Sequence, residues 1–141
     1  MQKVLLIALA FIFVSATCFA QSKAPKAVVA AFNEKFPNAT KVKWDKENDK
    51  EYEAEFEWQG ASYSANFGTK GNWIETEKTV AFASLPLKVQ ESYNNSNKGS
   101  KVKAAAKIDS SDGTVKYEVE FKKGLKTVEV MYDEGGKVVK M

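Results

Sequence analysis

Residues 52–67 read Tyr52-Glu-Ala-Glu-Phe-Glu-Trp58-Gln-Gly60-Ala-Ser-Tyr-Ser-Ala-Asn-Phe67. In an extended chain successive side chains alternate between two faces. Tyr52, Ala54, Phe56 and Trp58 therefore share one side, and Glu53, Glu55 and Glu57 share the other. Gln59-Gly60 breaks the pattern, and Ser62, Ser64 and Asn66 resume the polar side on the return. The stretch predicts a β-hairpin with one buried face. A second stretch repeats it: Tyr117-Glu-Val-Glu-Phe121, then Val128, Val130 and Tyr132. The repetition predicts an internal duplication.

Upstream of the first hairpin, Pro25 marks a helix start, and Val28, Val29, Phe32 and Phe36 form an apolar stripe at helical spacing. Pro37-Asn38 ends it. Lys41 to Trp44 reads as a strand and Asp45 to Lys50 as a polar turn. Downstream, Thr69 to Asn72 turns into a strand from Trp73 to about Val80. The second copy opens at Leu85-Pro86, with Val89 and Tyr93 placed as Val28 and Phe32 are. Its helix reads as the shorter one, fraying into Asn94 to Gly99. A turn at Ser110 to Gly113, the second hairpin, and Lys137-Val138-Val139 complete it. The expected class is α+β, a tandem duplication of a helix followed by a four-stranded antiparallel unit. The expected divisions are a signal peptide (1–20), a first αββββ repeat (21–80) and a second (81–141).

The signal peptide rests on Lys3, the apolar run Val4 to Val14 and the small-residue site Cys18-Phe19-Ala20, with cleavage expected after Ala20. The run is shorter than a membrane span. Lipidation of Cys18 is the competing reading, which the bulky neighbour Thr17 fits poorly. Cys18 is the sole cysteine, histidine is absent, and every basic residue is lysine. The exported product would thus have no disulfide, thiol nucleophile or zinc-thiolate site. Removing Lys3 from the 21 basic residues leaves 20 against 18 acidic, a net +2. That near balance, without a basic footprint, argues against nucleic-acid binding. No cofactor is implied, and Asp45 to Asp49 lacks the spacing of a calcium loop, so no metal is expected either. No second apolar run approaches membrane-spanning length.

The paired helix-plus-strands units, with Lys43-Trp44, Tyr52 to Phe56 and Gly71-Asn72-Trp73, resemble the PepSY-like family of exported bacterial proteins, which are similar to β-lactamase inhibitor proteins. The resemblance implies two sheets side by side, helices on one face and a concave open face on the other. It also implies protein binding or inhibition. The chain departs from the inhibitor pattern in lacking disulfide cysteines.

Matching the copies sets Ala104 against Trp44, Lys123 against Trp58 and Val138 against Trp73. Trp44 and Trp58 read first as core. Lysine at Trp58's counterpart admits the reading that Trp58 and Trp73 sit at a rim, where tryptophan anchors partners. Glu53, Glu55 and Glu57, with Ser62, Ser64 and Asn66 alongside, read as a solvated sheet face or a recognition surface. The candidate partner-binding set is therefore Glu53, Glu55, Glu57, Trp58, Ser62, Ser64, Asn66 and Trp73. No catalytic residue is assigned. The function expected is an exported, periplasmic or secreted, non-enzymatic protein-binding module, an inhibitor of an extracytoplasmic enzyme being its specific form. The alternative is a structural or envelope-associated protein without a discrete enzyme target. The protein partner is not identified by the sequence.

Overall fold

The structure is a computed structural model and describes residues 24–140. The expected signal peptide, with Cys18, lies outside the described residues. The elements are α1 (Lys26–Lys35), β1 (Thr40–Lys46), β2 (Glu51–Trp58), β3 (Ala61–Gly68), β4 (Trp73–Val80), a 3-10 turn at Phe82–Ser84, α2 (Leu87–Ser96), β5 (Val102–Ser110), β6 (Val115–Lys123), β7 (Lys126–Tyr132) and β8 (Val138–Val139).

All eight strands form a single antiparallel sheet in chain order. The class is α+β, as expected, but the implied pair of sheets is one continuous sheet. β4 and β5 pair from Glu75↔Ser110 to Val80↔Ala105. Separate sheets would leave two interior edges with unpaired N–H and C=O groups, and this pairing covers both.

α1 follows Pro25, buries Val28 and Phe32 on its inner side, and gives way at buried Phe36 to Pro37 and Asn38 (φ 63°). α2 is ten residues long, as α1 is, which corrects the expectation of a shorter, fraying helix. Its last turn is held where polar composition suggested fraying. The Asn97 backbone N–H and side-chain amide both donate to the Tyr93 carbonyl. Tyr93 itself is buried, and its hydroxyl donates to the Ser100 carbonyl at 3.3 Å.

Both helices lie on the same face of the sheet. Beneath α1, Phe32 meets Phe56 edge-on at 4.8 Å and Trp44 at 5.2 Å, while Phe36 lies 4.7 Å from Phe56. Beneath α2, Val89 and Tyr93 pack on Val119, Phe121 and Tyr132. Each fully buried large apolar side chain contributes roughly 2–3 kcal/mol, far more than either ten-residue helix gains from its own hydrogen bonds. Glycines let hairpin turns press against the first turn of each helix. A Cβ on Gly71 (φ +90°) would sit 2.7 Å from the Ala27 carbonyl oxygen, and one on Gly136 (φ +80°) would collide with the Lys88 carbonyl. Among the described residues, no element packs on the opposite face.

Candidate functional site on the open sheet face

The register fixes what the open face presents. Glu53 stands beside Asn66, which stands beside Glu75. The next row runs Glu55, Ser64, Glu77, Ile108 and Lys116 across β2 to β6. A third runs Thr79, Ala106, Glu118 and Met131 across β4 to β7, and a fourth joins Ala104, Glu120 and Glu129. Ala104 and Ala106 rise little above the backbone of β5. They leave room between the carboxylates of β4 and those of β6.

Two depressions occupy that room, of about 210 and about 220 Å³, and Glu77 and Glu118 line both. The first touches side chains from β2 through β7. Six flat strands would span about 24 Å at the usual spacing, so one hollow reaching all of them requires a curled sheet. Its floor includes buried Ile108, and Lys116 stands among its walls.

Burial, reinforced by neighbouring carboxylates, raises the pKa values of four carboxyls here. Burial, then repulsion from Glu53, Glu75, Glu129 and Glu120, lifts Glu77 to about 7. Burial, then Glu77, Glu129, Glu120 and Glu75, lifts Glu118 to about 8. Glu53 is raised mainly by burial and by Glu47, against a hydrogen bond from Ser64 that favours its charge. Burial also raises Glu75, which Lys116 partly offsets. At neutral pH Glu77 and Glu118 are therefore partly protonated, a crowded pair whose titrations are linked. Glu120 is buried and takes its cation from Lys103.

The expected site residues divide between the two faces. Glu53, Ser64 and Asn66 line the hollow. Glu55, Glu57 and Ser62 extend the same face toward the β2–β3 turn, where Glu57 pairs with Lys41 at 2.7 Å. Trp58 and Trp73 stand on the helix face. The Trp58 indole donates to the Pro37 carbonyl at 2.9 Å and meets Phe36 edge-on at 5.3 Å. The Trp73 indole donates to the Thr76 hydroxyl at 2.9 Å, and the Lys35 ammonium lies 3.6 Å from the centre of its ring. The structure thus separates the glutamate row from both tryptophans. It adds Glu75 and Glu77, and it draws Glu118 into the same hollow as Glu53. Alternation in Glu75-Thr76-Glu77 was a visible signal, but its meaning depends on the β4–β5 pairing. Among the described residues no group of three or more acidic, histidine or cysteine side chains is arranged to hold a metal ion.

This architecture, one curled antiparallel sheet with two helices on one face, can be compared with known proteins. The family described as "Putative beta-lactamase-inhibitor-like, PepSY-like" matches residues 15–61 and 50–140. The chain belongs to that PepSY-like family. Solved structures share its fold. A protein from Bacteroides eggerthii, described among "putative periplasmic proteins", superposes with a TM-score of 0.77 at 16% identity, covering 84% of this chain and 87% of its own. A BLIP-like protein from Bacteroides fragilis gives 0.70 at 23% identity, covering 84% of each chain. A DUF2874 family protein from Bacteroides uniformis gives 0.75 at 19% identity, covering 84% of this chain and 88% of its own. No curated protein matches the chain. At these identities the structures show that the PepSY-like fold is shared, and no more.

Proposed function

We propose that this PepSY-like chain is an exported, non-enzymatic protein-binding module, built by tandem duplication, that receives a partner's cationic side chain in the hollow of its open sheet face. The observation that carries this reading is the convergence of Glu53, Glu75, Glu77 and Glu118 on one uncovered depression with an apolar floor. A lysine or arginine brought between Glu77 and Glu118 would favour their charged forms, which burial first and neighbouring carboxylates second now disfavour. Binding would then release protons. Similarity to proteins described as β-lactamase-inhibitor-like supports inhibition of an extracytoplasmic enzyme as the specific role. A neighbour described as periplasmic supports that compartment. The helix-then-four-strands order, present twice, supports duplication.

Paired carboxyls with raised pKa values also suit acid–base chemistry. Such chemistry, however, divides labour between an acid and a base whose pKa values are pushed apart. Burial pushes Glu77 and Glu118 the same way, and Glu75, Glu120 and Glu129 add to it in both. That symmetry favours binding over catalysis.

The test is site-specific photo-crosslinking in the native envelope, with the crosslinker at Ser62 on the open face or at Lys26 on α1. The binding reading expects one adduct from Ser62, none from Lys26, and loss of that adduct in Glu77→Lys/Glu118→Lys. Equal labelling from both positions, or an adduct indifferent to charge reversal, would favour the structural alternative.

A further inference from the structure

The two long hairpins end differently, and the difference is chemical. At the β2–β3 tip, Trp58 folds back onto Pro37, and Glu57 is paired with Lys41. Lys123 closes β6 where Trp58 closes β2, and it pairs with Lys126 across a two-residue turn, Gly124-Leu125. Gly124 takes φ +62°, and Leu125 behind it is 101% exposed, the most exposed large apolar side chain described. The fold tied down the first tip, so nothing in the architecture requires the second to project a bare leucine.

Lysines surround it. Lys122, Lys123 and Lys126 flank the tip, and all three are exposed. The Lys122 N–H reaches the Lys101 carbonyl at 3.4 Å, which brings the start of β5 alongside, with exposed Lys98 in the turn before it. Residues 94–104 and 121–128 contain no aspartate or glutamate. The nearest acids on the hairpin are Glu120, engaged by Lys103, and Glu129 opposite it on β7, both set back from the tip. The ion pairs found among the described residues use Lys41, Lys46, Lys88, Lys103 and Lys107, none of them in this cluster.

We infer that this pole is a docking surface for an anionic lipid bilayer, with Leu125 entering the acyl boundary and the surrounding lysines contacting headgroup phosphates. A projecting apolar tip within a cationic ring matches the two zones of a membrane surface, phosphate outside and hydrocarbon just beneath. A soluble polyanion would use the lysines and leave the leucine without a role. The pole lies at the strand ends, away from the floor of the carboxylate hollow, so docking there would leave the open face accessible. The inference does not depend on the binding role proposed for that face.

The experiment is co-sedimentation of the full chain with vesicles of phosphatidylcholine alone and of phosphatidylcholine with 30% phosphatidylglycerol (about one anionic lipid in three). The apolar run Val4 to Val14 is common to every variant, so differences between variants report on the pole. Anionic vesicles should bind the chain at least tenfold more tightly, and salt should weaken that binding. Lys122→Glu/Lys123→Glu/Lys126→Glu should reduce it about a hundredfold or more. Leu125→Ser should reduce it roughly tenfold while leaving the melting curve unchanged. A triple lysine-to-glutamate variant that binds anionic vesicles as tightly as the unaltered chain would overturn the inference. So would an unaltered Leu125→Ser variant, which would mark the lysines as a general polyanion patch.

Discussion

Glu77 on β4 and Glu118 on β6 lie on the same face with only β5 between them, and its Ala106 leaves the space between their carboxyls open. Both groups have folded-state pKa values above the 4.5 of a free glutamate, about 7 and about 8. Between 4.5 and those values the folded chain holds protons that the unfolded chain has released.

Stability should therefore fall as pH rises through that window, because the unfolded state binds fewer protons there. Moving from pH 5 to pH 9 should cost on the order of 3 kcal/mol for the coupled pair, measured by urea denaturation at each pH. Glu77→Gln and Glu118→Gln should each flatten the profile and raise stability at the alkaline end. A profile that rises with pH would mean that these carboxyls are ionised and favourably paired.

Trp58 provides a second test, because the structure places it opposite the glutamate row. Trp58→Phe should retain the contact with Phe36 but lose the hydrogen bond to Pro37, costing about 1 kcal/mol. Trp58→Lys, which imitates Lys123, should cost about 2–3 kcal/mol, since much of the indole packs on the core. Denaturation of both variants separates the two contributions. Full stability in Trp58→Lys would show that the indole is spare and available to a partner.

The turns against the helices carry a third. Gly136→Ala should destabilise by at least about 2 kcal/mol more than Gly113→Ala, which also has a positive φ (+84°) but nothing within 4 Å of its would-be Cβ. The difference isolates the clash with the Lys88 carbonyl from backbone strain. Comparable losses would mean that α2 can shift away from the turn.

Much of this fold was legible because it follows from local pattern. Alternation in residues 52–67 placed Phe56 and Glu55 on opposite faces, and helical spacing placed Phe32 over the sheet. Long-range pairing was not local. Nothing in Trp73–Val80 or Val102–Ser110 declares that these strands meet, so Glu77 and Glu118 could not be seen as neighbours. The tryptophans misled for a related reason. Lysine at position 123 shows only that a hairpin of this type tolerates lysine there, whereas Pro37 fixes what Trp58 does. Asparagine propensity suggested that α2 would fray, and two hydrogen bonds to the Tyr93 carbonyl outweighed it.

The seam between β4 and β5 gives the last prediction. Each half has its own buried cluster, centred on Phe32 and Phe56 in one and on Tyr93 and Phe121 in the other. Each is also only about sixty residues long, a size at which one small core is marginal. Six register pairs, from Glu75↔Ser110 to Val80↔Ala105, join them. Residues 24–80 alone would expose the whole outer edge of β4, with its hydrogen-bonding groups unpaired and Val80 stripped of its neighbours. That fragment should be unfolded or associated at concentrations where the full chain is monomeric and unfolds in one transition. Circular dichroism and sedimentation on both, at matched concentration, decide it. A monomeric fragment with the full chain's unfolding midpoint would show that each half stands alone and that the seam adds continuity without stability.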